Sequence, residues 1–98
     1  MKVLTCNVGS TSLKFKLYIM PQKTLLAQSR IERVGTNSAI YHYENPDKDI
    51  AIQEDRQHIP DYLTGITRFL DDLTGVERGA IGSIGEIEAV GFKTVLSK

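Results

Sequence analysis

The 98-residue sequence has one cysteine, no tryptophan and only two histidines. A single cysteine excludes an internal disulfide. Cys6 follows a short apolar run and has no histidine near it in the sequence, so we expect a buried, unreactive thiol, as suits a reducing cytosol. His42 and His58 are far apart and have no ligand-like spacing with Cys6, which argues against a zinc-type site.

The charges balance, and no segment is strongly basic or strongly apolar. Twelve lysine and arginine residues offset twelve aspartate and glutamate residues, and the basic ones are spread along the chain. This pattern argues against nucleic acid and anionic membranes as partners. No apolar run approaches the roughly 20 residues of a membrane span, and the apolar start is too short for a signal peptide. We therefore expect a soluble, cytoplasmic protein of one domain or less.

The first half of the chain predicts five short strands. Residues 3–8 are largely apolar on both faces, which is typical of a strand covered on both sides. Residues 13–19 alternate between apolar and polar, which predicts a half-buried strand. Because only a short turn joins them, we expect an antiparallel pair. Weaker patterns predict three further strands, separated by turn residues, at 25–34, 39–44 and 50–53.

After residue 60 the apolar spacing changes to three and four, which predicts an amphipathic helix. Its apolar face comprises Leu63, Ile66, Leu70 and Leu73, widened by Tyr62 and Phe69. Pro60 suits the first turn and Gly75 the position just past the end. Gly65 inside the helix costs about 1 kcal/mol relative to alanine.

The predicted helix carries Asp71 and Asp72 on its polar side, where we expect a solvated face. Residues 83–86 predict a cap or a short helical turn, and residues 88–92 predict a last strand. This order of elements indicates an α/β fold with a mixed sheet: five mostly antiparallel strands, one main helix, then a further strand. An apolar run reaches the last residues, so we expect that the sequence has been cut.

Segment 7–14 carries the chemistry, with the sequence Asn-Val-Gly-Ser-Thr-Ser-Leu-Lys. Gly9 permits a positive φ and close approach to the backbone. The hydroxyls and successive N–H groups of such a turn can form an anion-binding concavity, and Lys14 adds a positive charge. These groups suit a polyphosphate with bound magnesium. The segment is not a P-loop, because a strand follows the turn instead of a helix; composition alone favours an ordinary Ser/Gly hairpin.

The complete string resembles the start of the acetate kinases and their propionate and butyrate kinase relatives. That family opens with a strand ending in Asn-x-Gly-Ser-Ser/Thr-Ser and continues Leu-Lys-Phe or Leu-Lys-Tyr, as residues 7–15 do here. Two weaker blocks follow in the family's order at residues 31–35 and 86–91. The resemblance therefore covers nearly the whole chain.

The resemblance implies a partial domain of the actin and sugar-kinase superfamily, with a ribonuclease H-like fold and ATP in a cleft between two domains. Residues 1–98 would be the amino-terminal part, truncated before the second domain, and the whole enzyme a homodimer. Family roles carry over to Asn7 for magnesium and phosphate, to Ser10 and Ser12 beside the transferred phosphate, and to Lys14 for ATP. Mg²⁺ and ATP are the implied cofactors, a short-chain carboxylate or acyl phosphate is the partner, and no catalytic residue is assigned within the chain.

One segment departs from the family pattern. Where the family has His-Arg and a second His, this sequence has Phe92, Lys93 and Leu96. The family arginine binds the acceptor, so Lys93 is the candidate substrate-binding residue, although an ammonium cannot replace the forked guanidinium. Two functions follow: the amino-terminal fragment of an ATP-dependent carboxylate kinase, inactive alone, or a non-catalytic phosphate- or partner-binding module on the same fold.

Overall fold

The computed structural model describes residues 1–94, which form a mixed six-stranded sheet with one α-helix packed on one face. The sheet order is β5-β4-β3-β2-β1-β6; β6 is parallel to β1, and the other neighbours are antiparallel. This confirms the predicted α/β fold with a mixed sheet. The elements are β1 (Lys2–Val8), β2 (Ser12–Ile19), β3 (Thr24–Glu32), β4 (Thr36–Asn45), β5 (Ile50–Ile59), α1 (Tyr62–Thr74) and β6 (Ile87–Thr94), with 3-10 turns at Pro46–Lys48 and Ile84–Glu86.

Several predicted strand ends were wrong. The third strand ends at Glu32 instead of Val34, because Arg33 and Gly35 take positive φ angles of 60° and 98° and turn the chain. The fifth strand continues past Gln53 to Ile59 through a polar stretch with no apolar alternation. That stretch is held by pairing with β4, so the tertiary ladder outweighs the weak strand propensity of its residues.

The core lies between α1 and one face of the sheet. The ring of Phe15 in β2 is stacked on the ring of Phe69 in α1, with 4.7 Å between the centroids. Cys6 of β1 lies on the same face and is 3% exposed, and burial raises the pKa of its thiol. The prediction of a buried cysteine is therefore confirmed. We call the opposite face, which α1 does not cover, the open face; it carries Lys14 and Lys16.

The buried side of α1 differs from the predicted stripe. Gly65, Phe69 and Leu73 are buried, whereas Leu63 is 72% exposed. Pro60 lies before the N-cap residue Asp61 and is not in the first turn. The helix ends at Thr74, so Gly75 follows its end as predicted.

Asp72 was wrongly predicted to be solvated. Its side chain is 14% exposed and lies 3.4 Å from the guanidinium of Arg68 and 3.4 Å from that of Arg78. Arg68 also pairs with Glu54 of β5 and stacks over the ring of Tyr41, 4.3 Å from its centroid. This ion-pair cluster attaches α1 to the sheet. Asp71 is exposed, as predicted.

The predicted turn at residues 83–86 is a 3-10 turn in which the carboxylate of Glu86 accepts hydrogen bonds from the N–H groups of Gly82 and Ser83. Leu96 lies outside the described residues. Within residues 1–94, no helix is long and apolar enough to cross a membrane.

Candidate phosphate-binding site

The candidate phosphate loop, which we define as residues 9–11 and call the phosphate loop below, joins the antiparallel strands β1 and β2. The N–H of Gly9 donates to the carbonyl of Ser12 over 2.9 Å and closes the turn. A Cβ atom on residue 9 would lie 2.6 Å from Oγ of Ser12, so a larger residue would require the Ser12 hydroxyl to rotate away from its present position. Gly9 does not take a positive φ, although glycine permits it. The absence of a Cβ atom leaves room for the hydroxyl of Ser12.

Two neighbouring segments hold the backbone of this loop. The N–H of Val34, in the turn between β3 and β4, donates to the carbonyl of Thr11 over 3.0 Å. The hydroxyl of Tyr62, the first residue of α1, lies 2.7 Å from the carbonyl of Gly9 and 2.7 Å from that of Ser10. The loop is therefore fixed from both sides, as a preorganised site requires.

The register of three strands brings three predicted site residues into one row. Asn7 of β1 is paired with Lys14 of β2 on one side and with Lys93 of β6 on the other. Neighbouring strands lie about 4.8 Å apart, so the backbones of the two lysines are within roughly 10 Å of each other. Because directly paired residues share a face, Asn7 lies with Lys14 on the open face, away from α1. The row lies at the end of β1 that leads into the phosphate loop.

The predicted hydroxyls of Ser10, in the loop, and of Ser12, just after it, lie near this row. Ser10 is exposed, Ser12 is half-buried at the start of β2, and Asn7 is half-buried at the end of β1. An exposed loop with hydroxyls and with N–H groups at Ser10 and Thr11 that make no hydrogen bond within residues 1–94, next to a lysine, suits a phosphate group. Next to it, a concavity of about 540 Å³ on the open face extends from Lys14 over β3, β4 and β5.

Asn7, Ser10 and Ser12 would hold magnesium only together with a phosphate. No group of three or more histidine, cysteine, aspartate or glutamate side chains is placed to hold a metal ion anywhere in residues 1–94. The donors present are the amide oxygen of Asn7 and the loop hydroxyls, which are neutral hard oxygens. Mg²⁺ usually keeps several waters and binds through substrate phosphates, so this donor set fits a metal that arrives with the nucleotide.

The contribution of Tyr62 could not be predicted from the sequence. Its spacing placed it on the apolar face of α1, and its ring is indeed half-buried there. A tyrosine at the edge of an apolar stripe carries a hydroxyl that needs a partner, and this was the available signal. The contact between residues 9 and 62 depends on how α1 crosses the sheet, which periodicity does not encode.

The fold defines a class: residues 1–94 form part of a domain with the actin-like ATPase fold, and the candidate phosphate loop is the hairpin turn between β1 and β2. The crystal structure of Porphyromonas gingivalis acetate kinase superposes with a TM-score of 0.84 at 32% identity, over 93% of this chain and 22% of that one. A Francisella tularensis propionate kinase shares the fold alone, with a TM-score of 0.62 at 20% identity over 93% of this chain and 21% of that one.

Sequence comparison defines the family. The sequence profile of the acetokinase family matches residues 2–97. The acetate kinase of Shouchella clausii is 39% identical over 94 residues, which are 96% of this chain and 22% of that protein. The acetate kinase of Bacteroides fragilis is 39% identical over 95 residues, 97% of this chain and 23% of the relative. The chain belongs to the acetokinase family, and it spans about a fifth of the length of these relatives.

Proposed function

We propose that this chain is the phosphate-binding, amino-terminal part of an ATP-dependent carboxylate kinase, which transfers a phosphoryl group between ATP and a short-chain carboxylate such as acetate. The observation that carries the proposal is the row of Asn7 and Lys14 beside a phosphate loop fixed by Tyr62. Membership of the acetokinase family supports a parent kinase. We call that parent the complete protein.

The loop's part in the reaction is positioning and charge stabilisation, which dominate phosphoryl transfer. Asn7 would orient Mg²⁺ and phosphate oxygens at the end of β1. The hydroxyls of Ser10 and Ser12 would donate to the transferred phosphate, and the ammonium of Lys14 would neutralise charge on ATP. Bound Mg²⁺ would supply further neutralisation of the phosphate oxygens.

Lys93 is the proposed contact for the acceptor. Its register position beside Asn7 puts its backbone at the same end of the sheet as the phosphate loop, where an acceptor must meet the transferred phosphate. A lysine there would attract a carboxylate by charge but without the two parallel hydrogen bonds of an arginine.

The remaining groups of the active site would come from outside residues 1–98. A nucleotide in a cleft between two domains would contact this part through its phosphates and the second domain through its adenosine. By family resemblance, we further propose a cytoplasmic, homodimeric parent.

The test is an assay of ADP formation with ATP, Mg²⁺ and acetate or propionate. We expect turnover by the complete protein and none above background by the 98-residue chain, since the chain would hold only one side of the cleft. Turnover by the chain alone, with contamination excluded, would falsify the fragment proposal. A complete protein that binds phosphate but turns over no carboxylate would favour the alternative, a non-catalytic phosphate- or partner-binding module.

A further inference from the structure

We infer that Tyr62 is a positioning residue of the phosphate loop: its hydroxyl turns two loop carbonyls towards α1 and thereby directs the N–H groups of Ser10 and Thr11 outwards, to a bound phosphate. The inference deepens the proposed function and rests on it, because it assigns the loop's ligand to the same phosphate. The role of Tyr62 follows from its contacts with the loop.

The hydrogen-bond geometry fixes two peptide planes. The hydroxyl of Tyr62 lies 2.7 Å from the carbonyl oxygen of Gly9 and 2.7 Å from that of Ser10, so its single proton is shared between them. Both peptide bonds that carry these carbonyls are trans. In a planar trans peptide the carbonyl and the N–H of the next residue point in opposite directions. The N–H groups of Ser10 and Thr11 therefore point away from Tyr62.

These two N–H groups make no hydrogen bond with the rest of residues 1–94. Gly9, by contrast, donates to Ser12 within the turn. Ser10 and Thr11 are exposed, so their N–H groups are open to water or to an anion. Successive N–H groups on one side of a turn can bind an anion. Here both N–H groups face the side of the loop opposite Tyr62, because both carbonyls are held towards its hydroxyl, and a phosphate has enough oxygens to accept from each.

The hydroxyl is itself held in place by the helix. Tyr62 is the first residue of α1, and the preceding Asp61 caps that helix by accepting hydrogen bonds from the N–H of Thr64 at 2.8 Å and from its hydroxyl at 2.7 Å. The ring of Tyr62 is half-buried and packs against the core. A rigid donor can keep two peptide planes fixed, whereas a mobile one would let each plane rotate.

The direct test is a titration of the 98-residue chain with pyrophosphate, followed by ¹H–¹⁵N NMR. In the unchanged chain we expect the amide signals of Ser10 and Thr11 to shift most. Tyr62→Phe keeps the ring and removes the hydroxyl, so the dissociation constant is expected to rise about tenfold, the factor for one hydrogen bond. Tyr18→Phe is the matched control, because Tyr18 is also half-buried but lies in β2 opposite Val3, away from the loop.

Equal pyrophosphate affinity in the Tyr62→Phe and unchanged chains, at equal melting temperature, overturns the inference. So does the absence of shifts at Ser10 and Thr11 in the unchanged chain. A lower melting temperature for Tyr62→Phe with the same pyrophosphate affinity also overturns it, since a merely structural hydrogen bond predicts that result.

The complete protein separates this inference from the proposed function. There, Tyr62→Phe is expected to raise KM for ATP or lower kcat about tenfold while KM for the carboxylate stays the same. If the unchanged protein turns over no carboxylate, the proposed function fails, but the pyrophosphate titration still decides the role of Tyr62. If the unchanged protein does phosphorylate the carboxylate and the Tyr62→Phe variant has the same kinetics, only the inference about Tyr62 fails.

Discussion

Gly65 of α1 packs directly against Leu13 of β2: a Cβ atom on residue 65 would lie 2.8 Å from Cδ1 of Leu13. The same atom would lie 3.2 Å from Cδ1 of Ile31. Leu13 and Ile31 are both completely buried, so neither can move away freely. The glycine thus lets the helix approach the sheet immediately behind the phosphate loop, since Leu13 is the second residue of β2.

We predict that Gly65→Ala destabilises the chain, although alanine is the better helix former. Overpacking of a core costs about 1–3 kcal/mol, while the gain in helix propensity is about 1 kcal/mol. The expected net loss in the free energy of unfolding is about 1 kcal/mol, measured by urea denaturation. Gly91→Ala is the control, because a Cβ there meets no atom within 4 Å. An increase in stability for Gly65→Ala would show that Leu13 can repack.

A second prediction compares two adjacent aspartates at the end of α1. Asp72→Ala leaves Arg68 and Arg78 without a shared carboxylate in a half-buried cluster, so we expect a loss of about 1–3 kcal/mol in the free energy of unfolding. Asp71→Ala is the matched control: it has nearly the same position relative to the helix dipole but is exposed, and should change stability by about 0.5 kcal/mol or less. Equal effects of the two substitutions on the free energy of unfolding would show that the ion pairs of Asp72 with Arg68 and Arg78 do not stabilise the chain.

The elements of the fold could be predicted because their periodicity is local. The alternation in residues 13–19 and the helical spacing after residue 60 both identified elements that the structure contains. The ends could not be predicted where pairing supplies the stability, as in the polar second half of β5. Asp71 and Asp72 show the same limit: the helical pattern places both on a polar side, but Asp72 is half-buried beside Arg68 and Arg78.

The geometry of the candidate site could be predicted only in part, for a similar reason. A continuous motif predicts Asn7, Ser10, Ser12 and Lys14 as site residues, and the sheet register places the backbone of Lys93 beside that of Asn7. The anchors Val34 and Tyr62 come from turns and helices distant in sequence, with no motif of their own. Ligand roles for all these residues stay predictions.

The third prediction concerns pH. Hydrogen bonds from the backbone N–H and then the hydroxyl of Thr64 hold the pKa of the Asp61 carboxyl below its ordinary value of 3.8. A lowered folded-state pKa means that the cap's charge contributes stability above pH 3.8, and that this contribution is lost as the pH falls through the folded-state value. Asn also caps helices but does not titrate. The free energy of unfolding of the unchanged chain relative to Asp61→Asn should therefore fall in acid below pH 3.8. A pH-independent difference in urea unfolding would rule out this linkage.

The fourth prediction tests Asn7 in the complete protein. Removing one preorganised charge-stabilising donor typically costs about 100-fold in rate, so we expect Asn7→Ala to lower kcat by about that factor. Thr5→Ala is the control, because Thr5 precedes Asn7 by two residues in β1 and lies on the same open face. Both variants should fold, as judged by circular dichroism. Unchanged kinetics for Asn7→Ala would remove Asn7 from the site and leave the turn an ordinary hairpin.

The last prediction concerns the acceptor and Lys93. We expect the complete protein to use acetate poorly, because a lysine cannot form the bidentate pair that an arginine makes with a carboxylate. Hydrogen bonds to charged groups contribute about 1.5–3 kcal/mol each, so the loss of one lowers affinity by a factor of roughly 10–100. Lys93→Arg combined with Phe92→His restores the family pattern next to Asn7, and should lower KM for acetate by a factor in that range.

The kinetics of this double variant distinguish a specific acceptor contact from a general change in charge. Lys23→Arg, in the exposed turn between β2 and β3, keeps the same charge and serves as the control. KM for ATP should not change in either variant, because the phosphate loop is untouched, whereas KM for acetate should fall only in the first. If KM for acetate stays the same, or if the unchanged protein already matches acetate kinases that carry the arginine, another group binds the acceptor and Lys93 is a neutral substitution at the end of β6.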